Sequence, residues 1–259
     1  MRRGLVPTRS AAQAAIDAGL VLVNGAPAAK AGHLVAPAEP VVVVGPPPRF
    51  VSRGGEKLDA ALEQFAIAVR GRRALDAGAS TGGFTDCLLQ RGASEVVAVD
   101  VGHGQLHPRI RSDARVIVLE RTNIRTVTLG EVGGGAFPLV VADLSFISLV
   151  TVAPVLAGEL ATVGADLVLL VKPQFEAGVR EAGRGRGVIR DPVVWRRVLD
   201  EVGTALSGAG AAMMGVMVSP LTGASGNVEF LAHCRAHAAG PRDIDPAVLD
   251  RVVEEAARR

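Results

Sequence analysis

The sequence predicts an α/β protein, with a doubly wound, mostly parallel sheet and a small α+β module in front of it. Short apolar runs rich in β-branched residues recur after residue 50, and stretches with helical periodicity separate them. Strands that alternate with helices in this way are typical of a parallel sheet that helices cover on both faces. A glycine-rich loop follows the first of these strands, at the edge where such sheets bind ligands.

Residues 1–45 are predicted to form the small module. The pair Asn24-Gly25 between two apolar runs favours a tight hairpin turn. The run Gly45-Pro46-Pro47-Pro48 then interrupts regular structure, so residues 46–52 are assigned to a linker. The predicted elements of the module are a helix at residues 8–18 and strands at residues 20–23 and 41–44.

The large domain is predicted to span residues 53–240. Its expected strands lie at residues 74–76, 96–100, 116–119, 139–143, 167–172, 215–218 and 228–232. Its expected helices include residues 85–90, 152–162 and 194–206. Residues 241–259 are predicted to form a C-terminal helical tail, and the alternating charges predict that this helix is solvated.

The composition is that of a folded protein in an aqueous compartment. Of 259 residues, 49% are hydrophobic and 21% are charged, which excludes an extended disordered chain. No apolar run approaches the roughly 18 residues of a membrane helix, so a cytoplasmic protein without a membrane partner is expected. Cys87 and Cys234 stand outside any metal-binding pattern, so no metal is expected, and a monomer is the default expectation.

The glycine-rich loop reads LDAGASTGGF from Leu75 and lies between a predicted strand and a predicted helix. Its glycines allow the backbone to approach a ligand closely. Its spacing differs from the dinucleotide fingerprint, and Asp76 suits a cationic amino-acid ligand better than a pyrophosphate. Asp100 ends the next strand, where a carboxylate can accept hydrogen bonds from ribose hydroxyls. The combination favours S-adenosylmethionine over a dinucleotide.

Two charged side chains end apolar strands further along the chain. Asp143 follows the run LVVA, and Lys172 follows the run LLV. Each alone would be an ordinary solvated strand end. Because the carboxyl ends of parallel strands border the ligand crevice, the two residues together are a candidate site.

Seven segments, spread over nearly the whole chain, carry a resemblance to a known family. They are VSRGGEKL from Val51, LDAGASTGGFTDCLLQRG from Leu75, VDVGHGQL from Val99, LERTNIR from Leu119, ADLSFISL from Ala142, LVKPQFEAG from Leu170 and SGNVEFL from Ser225. In sequence and order they resemble the TlyA family of ribosomal RNA 2′-O-methyltransferases, whose catalytic part is FtsJ-like. The resemblance implies a Rossmann-like, S-adenosylmethionine-dependent methyltransferase domain.

The resemblance also implies a Lys-Asp-Lys-Glu catalytic set, and Lys57, Asp143, Lys172 and Glu229 stand at the matching places. Lys172 is assigned as the base for a ribose hydroxyl, while Asp143 and Glu229 are expected to orient the two lysines. The implied cofactor contacts are Asp76, Gly78, Ser80, Gly82, Gly83, Phe84, Asp100, Thr122, Asn123 and Asp143.

RNA is the expected partner. The segment TRSAAQAAIDAGLVLVNG from Thr8 resembles the alpha-L RNA-binding module of ribosomal protein S4. The sequence begins at Met1-Arg2-Arg3-Gly4-Leu5, late in that module's usual first helix, so the expectation is either a misassigned start or a short module. Residues 1–60 hold seven basic and four acidic side chains, and residues 172–190 hold five and two, which suits a polyanion. The predicted RNA contacts are Arg9, Lys30, Arg53, Arg184 and Arg186.

The predicted reaction is transfer of a methyl group to a ribose 2′-hydroxyl of ribosomal RNA. The resemblance implies a cytidine in the large subunit and, for some family members, a second target in the small subunit. One alternative is a haemolysin-like membrane-active protein, because relatives carry that name. Another is a non-catalytic RNA-binding factor for ribosome assembly, against which the intact residues at every catalytic position argue.

Overall fold

The computed structural model describes all residues except 1, 2, 4, 7, 8, 29, 33, 46, 47, 179, 180, 182–186, 224 and 238–243. The predicted RNA contacts Arg184 and Arg186 therefore lie outside the described residues. The chain divides into two compact units, Met1–Pro48 and Arg49–Arg259. The division falls within the linker predicted at residues 46–52.

The first unit is a helix with a small antiparallel sheet. Its elements are α1 (Arg9–Asp17), β1 (Val21–Val23), β2 (Ala26–Pro27) and β3 (Val41–Val43), with the strand order β2-β1-β3. Asn24 and Gly25 have φ angles of 51° and 82°, as the favoured two-residue hairpin turn requires. The predicted helix and hairpin are confirmed.

The second unit is a seven-stranded sheet with helices between its strands. Its strands are β4 (Arg73–Ala77), β5 (Glu95–Val99), β6 (Val116–Leu119), β7 (Phe137–Ala142), β8 (Ala161–Val171), β9 (Ala211–Val218) and β10 (Phe230–Ala236). Its helices are α2 (Arg53–Gln64), α3 (Gly83–Gln90), α4 (Pro108–Arg111), α5 (Leu149–Ala153), α6 (Pro173–Glu176), α7 (Pro192–Gly208) and α8 (Pro246–Ala257).

The strand order β6-β5-β4-β7-β8-β10-β9 determines where a site can form. Strands β4 to β8 run parallel, and β10 runs antiparallel to both of its neighbours. The ends of β4, β7 and β8 therefore share one edge of the sheet with the start of β10. After β6 the chain returns to the middle of the sheet, where β7 pairs with β4. The boundary between β4 and β7 is the switch point at which such folds bind ligands. The predicted fold class is confirmed.

Two apolar clusters cover the two faces of the sheet. Because successive side chains of a strand point to opposite faces, Leu75 belongs to one cluster and Ala74 to the other. The first cluster contains the apolar residues of α7, and the second contains those of α2 and α3. The strands therefore consist of nearly continuous apolar runs, as expected for a sheet buried on both faces.

Two predicted elements differ in part from the structure. The helix expected at residues 152–162 begins earlier, as α5, continues as a π-helix at Pro154–Glu159 and ends before β8. The solvated C-terminal helix is instead half-buried, because Leu249, Val252, Val253 and Ala256 share one face of α8. That face packs on α7 and β9. No helix in the described part of the chain is long and apolar enough to cross a membrane.

The N-terminus of α2 approaches its neighbours unusually closely. A Cβ at Gly55 would lie 2.3 Å from Phe50 Cγ, and a Cβ at Gly83 would lie 2.1 Å from Ser52 Oγ. Phe50 is itself buried, so its ring has little room to move. Glycine at position 83 thus allows the start of α3 to pack against the start of α2, which carries Lys57, and glycine at position 55 leaves room for the Phe50 side chain.

We expect Gly55→Ala to lower the free energy of unfolding by about 1–3 kcal/mol, because the new methyl overlaps the Phe50 side chain. Helix propensity alone predicts a gain of up to about 1 kcal/mol for the same change. Urea unfolding measures the difference. The control is Gly130→Ala, whose methyl meets only Thr128 Oγ1 at 3.9 Å. Unchanged or increased stability of Gly55→Ala would contradict the close-packing argument.

Candidate active site

The glycine-rich loop forms a tight turn between β4 and α3. Gly78 and Gly82 have φ angles of 87° and 92°, a region that L side chains rarely adopt. A Cβ at Gly78 would lie 2.6 Å from the Asp143 carbonyl oxygen, and one at Gly82 would lie 2.8 Å from Leu106 Cδ1. Ser80 also has a positive φ, of 48°. The loop therefore fits closely against the end of β7.

Asp76 lies fully buried beneath this loop. Thr85 Oγ1 donates a hydrogen bond of 2.6 Å to Asp76 Oδ2, but Oδ1 has no hydrogen-bond partner among the described residues. Burial raises the pKa of Asp76 to about 7; the Thr85 hydrogen bond opposes this shift, and the charge of Asp143 adds to it. A buried acceptor without a partner fits a donor or a cation of a ligand.

Asp100 connects the glycine-rich loop to the segment after β5. Its Oδ2 accepts the Ser80 backbone N–H at 2.8 Å, and its Oδ1 accepts the Gly102 N–H at 2.6 Å. Each carboxylate oxygen keeps a further lone pair for a ligand. A pocket beside Asp100 is lined by Ala79, Ser80, Ala98, Asp100, Gly102, Gln105, Leu106, Val118 and Glu120.

Glu120 is a second carboxylate in this pocket, and sequence reasoning missed it. It accepts hydrogen bonds of 2.8 Å from the Gly104 N–H and from His103 Nδ1, and it pairs with Arg111. The loop that follows Asp100 is thereby fixed beside the pocket. The signal was available, since Glu120 directly follows an apolar strand, as Asp100 does.

Four further predicted cofactor residues make contacts within the protein. Thr122 and Asn123 follow Glu120, which lines the pocket, by two and three residues. The Thr122 N–H donates to the Asp100 carbonyl at 2.9 Å, and Asn123 Oδ1 accepts the Arg125 N–H at 3.1 Å. Gly83 and Phe84 face α2, where a Cβ on Gly54 would lie 3.4 Å from the Phe84 ring. Only the backbone of these two residues can serve a ligand at the helix start.

Asp143 and Lys172 form an ion pair at the ends of the neighbouring strands β7 and β8. Asp143 Oδ1 lies 2.6 Å from Lys172 Nζ, although the contact lacks hydrogen-bond geometry. The ammonium also donates to Ser145 Oγ at 3.0 Å and lies 5.7 Å from the centre of the Phe175 ring. The Asp143 N–H donates to the Ala77 carbonyl at 3.0 Å, which ties this pair to the glycine-rich loop.

Lys57 and Glu229 form a second ion pair, and both side chains are buried. Lys57 comes from α2, and Glu229 immediately precedes β10. Its neighbour Phe230 pairs with Val171, the residue before Lys172, so both pairs lie at the same edge of the sheet. Removing one member of a buried ion pair leaves an uncompensated charge, so each needs the other.

The structure thus brings the four predicted catalytic residues together as two lysine–carboxylate pairs. Each lysine has its own carboxylate, as the sequence analysis expected of Asp143 and Glu229. The described residues predicted to contact RNA, Arg9, Lys30 and Arg53, are all exposed.

Phe146 is a further candidate that sequence reasoning missed. Its side chain is 92% exposed, and its φ angle is 65°, which is rare for an aromatic residue. Its ring centre lies 5.2 Å from that of Phe175, the ring beside the Lys172 ammonium. The available signal was an aromatic residue three positions after Asp143, in a chain with only 3% aromatics.

Comparison with known proteins identifies the family. The FtsJ-like methyltransferase profile matches residues 50–236. The chain belongs to the FtsJ-like methyltransferase family. The S4 domain profile matches residues 2–41, which confirms the predicted N-terminal module.

Three relatives of this FtsJ-like methyltransferase have contrasting names. The chain is 50% identical over 260 residues to the 16S/23S rRNA (cytidine-2′-O)-methyltransferase TlyA of Mycobacterium tuberculosis, covering 100% of this chain and 94% of the relative. It is 40% identical over 230 residues to Hemolysin A of Brachyspira hyodysenteriae, covering 89% and 95%. The solved structure of a candidate hemolysin from Streptococcus thermophilus superimposes with a TM-score of 0.82 at 38% identity, covering 99% and 93%.

We expect S-adenosylmethionine to bind about tenfold more weakly at pH 6 than at pH 8. The pKa of Asp76 is raised to about 7, so Asp76 is mostly neutral at pH 6 and mostly ionised at pH 8. A cationic ligand favours the ionised form, and affinity therefore rises with pH through this range. Isothermal titration calorimetry at several pH values measures the effect.

Asp76→Asn should bind more weakly and should lose most of this pH dependence. The control is Asp113→Asn, because hydrogen bonds from Arg115 lower the pKa of Asp113 to about 2, far below the range studied. A wild-type affinity that does not change between pH 6 and pH 8 would contradict the role of Asp76.

Proposed function

We propose that this protein transfers a methyl group from S-adenosylmethionine to a ribose 2′-hydroxyl of ribosomal RNA. The main observation in support of this proposal is that the Asp143–Lys172 pair adjoins the glycine-rich loop. The Asp143 N–H bonds to Ala77, and its carbonyl packs on Gly78. A proton acceptor and a cofactor loop therefore meet at one point.

The residues of the loop fit S-adenosylmethionine. Asp76 Oδ1 is a buried acceptor without a partner among the residues that the structure describes, and it is suited to the cationic amino-acid part of the cofactor. Asp100 is suited to the ribose hydroxyls, and the pocket beside it to the adenine. When bound, S-adenosylmethionine supplies an electrophilic methyl group on a sulfonium cation. The backbone of Gly78, Ser80, Gly82 and Gly83, with Thr122 and Asn123 near the adenine, completes the proposed contacts.

Lys172 is the proposed proton acceptor. A ribose hydroxyl keeps its proton near pH 7, so a base in contact with it increases its reactivity. Asp143 Oδ1 lies 2.6 Å from Nζ and orients it, and the unprotonated amine then accepts the proton of the hydroxyl. The hydrogen bond to Ser145 Oγ also holds Nζ in place.

Lys57 and Glu229 have a supporting electrostatic role in the proposed mechanism. The Lys57 ammonium is a buried positive charge at the same edge of the sheet as Lys172. A fixed cation in a site of low dielectric constant stabilises negative charge that develops on the hydroxyl oxygen. Glu229 holds this cation and keeps it from being a lone buried charge.

The name of the Mycobacterium tuberculosis relative supports a cytidine of large- and small-subunit ribosomal RNA as the target. The S4 domain supports RNA binding, with Arg9, Lys30 and Arg53 as proposed phosphate contacts. The contacts proposed for Arg184 and Arg186 stay predictions. A cytoplasmic location belongs to the same proposal, because ribosomal subunits mature there, and the monomeric state also stays a prediction.

Phe146 is proposed to stack on the target base. Proteins that modify or recognise unpaired nucleotides stack their bases on exposed aromatic rings. Phe146 has such a ring, and Phe175 connects it to the Lys172 ammonium. Its unfavourable backbone conformation is consistent with a functional constraint.

The two alternative functions are not favoured. The FtsJ-like methyltransferase profile covers most of the chain, and the relative at 50% identity is named an rRNA methyltransferase. Both ion pairs of the proposed catalytic set are formed, which a non-catalytic RNA-binding factor would not need.

Lys172→Ala should lower transfer of labelled methyl groups to ribosomal subunits by at least about 100-fold, because the hydroxyl loses its proton acceptor. Affinity for S-adenosylmethionine, measured by calorimetry, should change little. Lys172→Arg is the matched variant, since it keeps the charge but cannot take up a proton near neutral pH. Substantial transfer by either variant would exclude Lys172 as the base.

Phe146→Ala should raise KM for the RNA substrate by about tenfold, which is the effect of one lost stacking contact. Phe146→Trp keeps an aromatic ring and should have the wild-type KM. The control is Val163→Ala, which changes an apolar side chain of 82% exposure near the opposite end of β8. Steady-state methyl transfer measures both. If alanine and tryptophan at position 146 give the wild-type KM, the stacking proposal fails.

A further inference from the structure

Asn227 is a buried polar residue in the turn before β10, and no role described above uses it. Its side chain is only 2% exposed. Oδ1 accepts the Ile189 backbone N–H at 2.9 Å, and Nδ2 donates to the Gly187 carbonyl at 2.8 Å. The amide therefore joins the turn that contains Gly223, Gly226 and Asn227 to the segment at residues 187–189.

The same turn borders the Glu229 carboxylate. The Gly223 N–H donates to the Asn227 carbonyl at 2.9 Å, and the Gly226 N–H donates to the Gly223 carbonyl at 2.9 Å. A Cβ at Gly223 would lie 2.6 Å from Glu229 Oε1. The backbone at Gly223 thus packs directly against the Glu229 carboxylate.

The segment on the other side of Asn227 is firmly supported. Ile189 is buried, and its carbonyl accepts a hydrogen bond of 3.2 Å from Trp195 Nε1. Trp195 belongs to α7, and its ring packs edge-on against Phe230 at 6.1 Å between centres. Asn227 consequently connects the backbone that packs against Glu229 to the core of the sheet.

We propose that Asn227 is a positioning residue, which holds Gly223 against Glu229 and so keeps Glu229 paired with Lys57. The inference rests on the proposed function, in which the Lys57 charge acts on the reacting oxygen. Displacement of a catalytic group by about 1 Å can reduce a rate by about 100-fold. Loss of the Asn227 amide therefore acts on the chemical step and leaves substrate and cofactor binding intact.

The first test is Asn227→Ala, assayed by methyl transfer to ribosomal subunits. We expect kcat to fall by about 10- to 100-fold, while KM for RNA and the Kd for S-adenosylmethionine stay within about twofold. The control for lost stability is Asp166→Asn, which removes a carboxylate paired with Arg72, Arg235 and His233. Asp166 precedes Lys172 by six residues on β8, about 20 Å along the strand, so this control should unfold more easily but retain kcat.

A double-mutant cycle with Glu229→Gln tests whether Asn227 acts through Glu229. If it does, Asn227→Ala should lower kcat little further in a protein that already carries Glu229→Gln. Multiplying losses would show that Asn227 acts independently of Glu229 and would overturn the proposal. Wild-type kcat for Asn227→Ala, or a change confined to KM for RNA, would overturn it as well.

Hydrogen exchange gives a readout that needs no catalysis. In Asn227→Ala, exchange should accelerate at Gly223 and in residues 187–189 and 225–229, whereas the glycine-rich loop should stay protected. Equal acceleration throughout the unit would indicate general destabilisation and would contradict a positioning role.

Gly223→Ala keeps the test decisive if Asn227→Ala does not fold. Its methyl would overlap Glu229 Oε1 and displace the carboxylate, so kcat should again fall. The control Gly130→Ala, in an exposed loop, should not change kcat. A wild-type kcat for Gly223→Ala would overturn the proposal. Failure of the proposed function is distinguishable, because Glu229→Gln alone would then leave methyl transfer unchanged or the wild type would transfer none.

Discussion

The ion pair between Asp143 and Lys172 joins the two halves of the active site. On one side, the backbone of Asp143 bonds to Ala77 and packs on Gly78, so the glycine-rich loop is built around it. On the other side, its carboxylate holds the ammonium that ends β8. Because β7 lies between β4 and β8, this one residue can serve both. Moving β7 by one position in the sheet would separate the proposed proton acceptor from the proposed cofactor loop.

Buried charge is the main energetic cost of this edge, and the structure offsets it pairwise. Lys57 and Lys172 each have a carboxylate partner, so neither is a lone cation in a medium of low dielectric constant. Asp76 is the exception: burial raises its pKa, and one of its oxygens has no partner among the described residues. A cationic ligand would supply the missing charge. The site is therefore pre-organised for a cation. The free energy that burial of the Asp76 carboxylate costs the folded protein is regained in part when a cation binds.

The close packing of α2 and α3 holds the charged side chains of the site in position. Gly83 allows the start of α3 to pack against the start of α2, Gly55 leaves room for the Phe50 ring, and α2 places Lys57 at the start of β10. Phe146 contrasts with this rigidity. It keeps an exposed ring and a left-handed backbone, which costs about 1–3 kcal/mol and persists only where the surroundings impose it. Ser80 in the glycine-rich loop also has a positive φ, so unfavourable backbone conformations occur both in the proposed cofactor loop and in the loop that faces the proposed substrate.

The sequence by itself determined the alternation of strands and helices, the Asn24-Gly25 hairpin and the glycine-rich loop, because each depends on neighbouring residues. Resemblance to a family added Lys57 and Glu229, which look like ordinary surface charges in isolation. Only the tertiary structure paired those two residues, which lie 172 positions apart in the chain. It also decided the antiparallel insertion of β10, the burial of one face of α8 and the position of the Asp76 oxygen that has no partner among the described residues. These features depend on which distant surfaces meet when the chain packs, and local propensity carries no information about that.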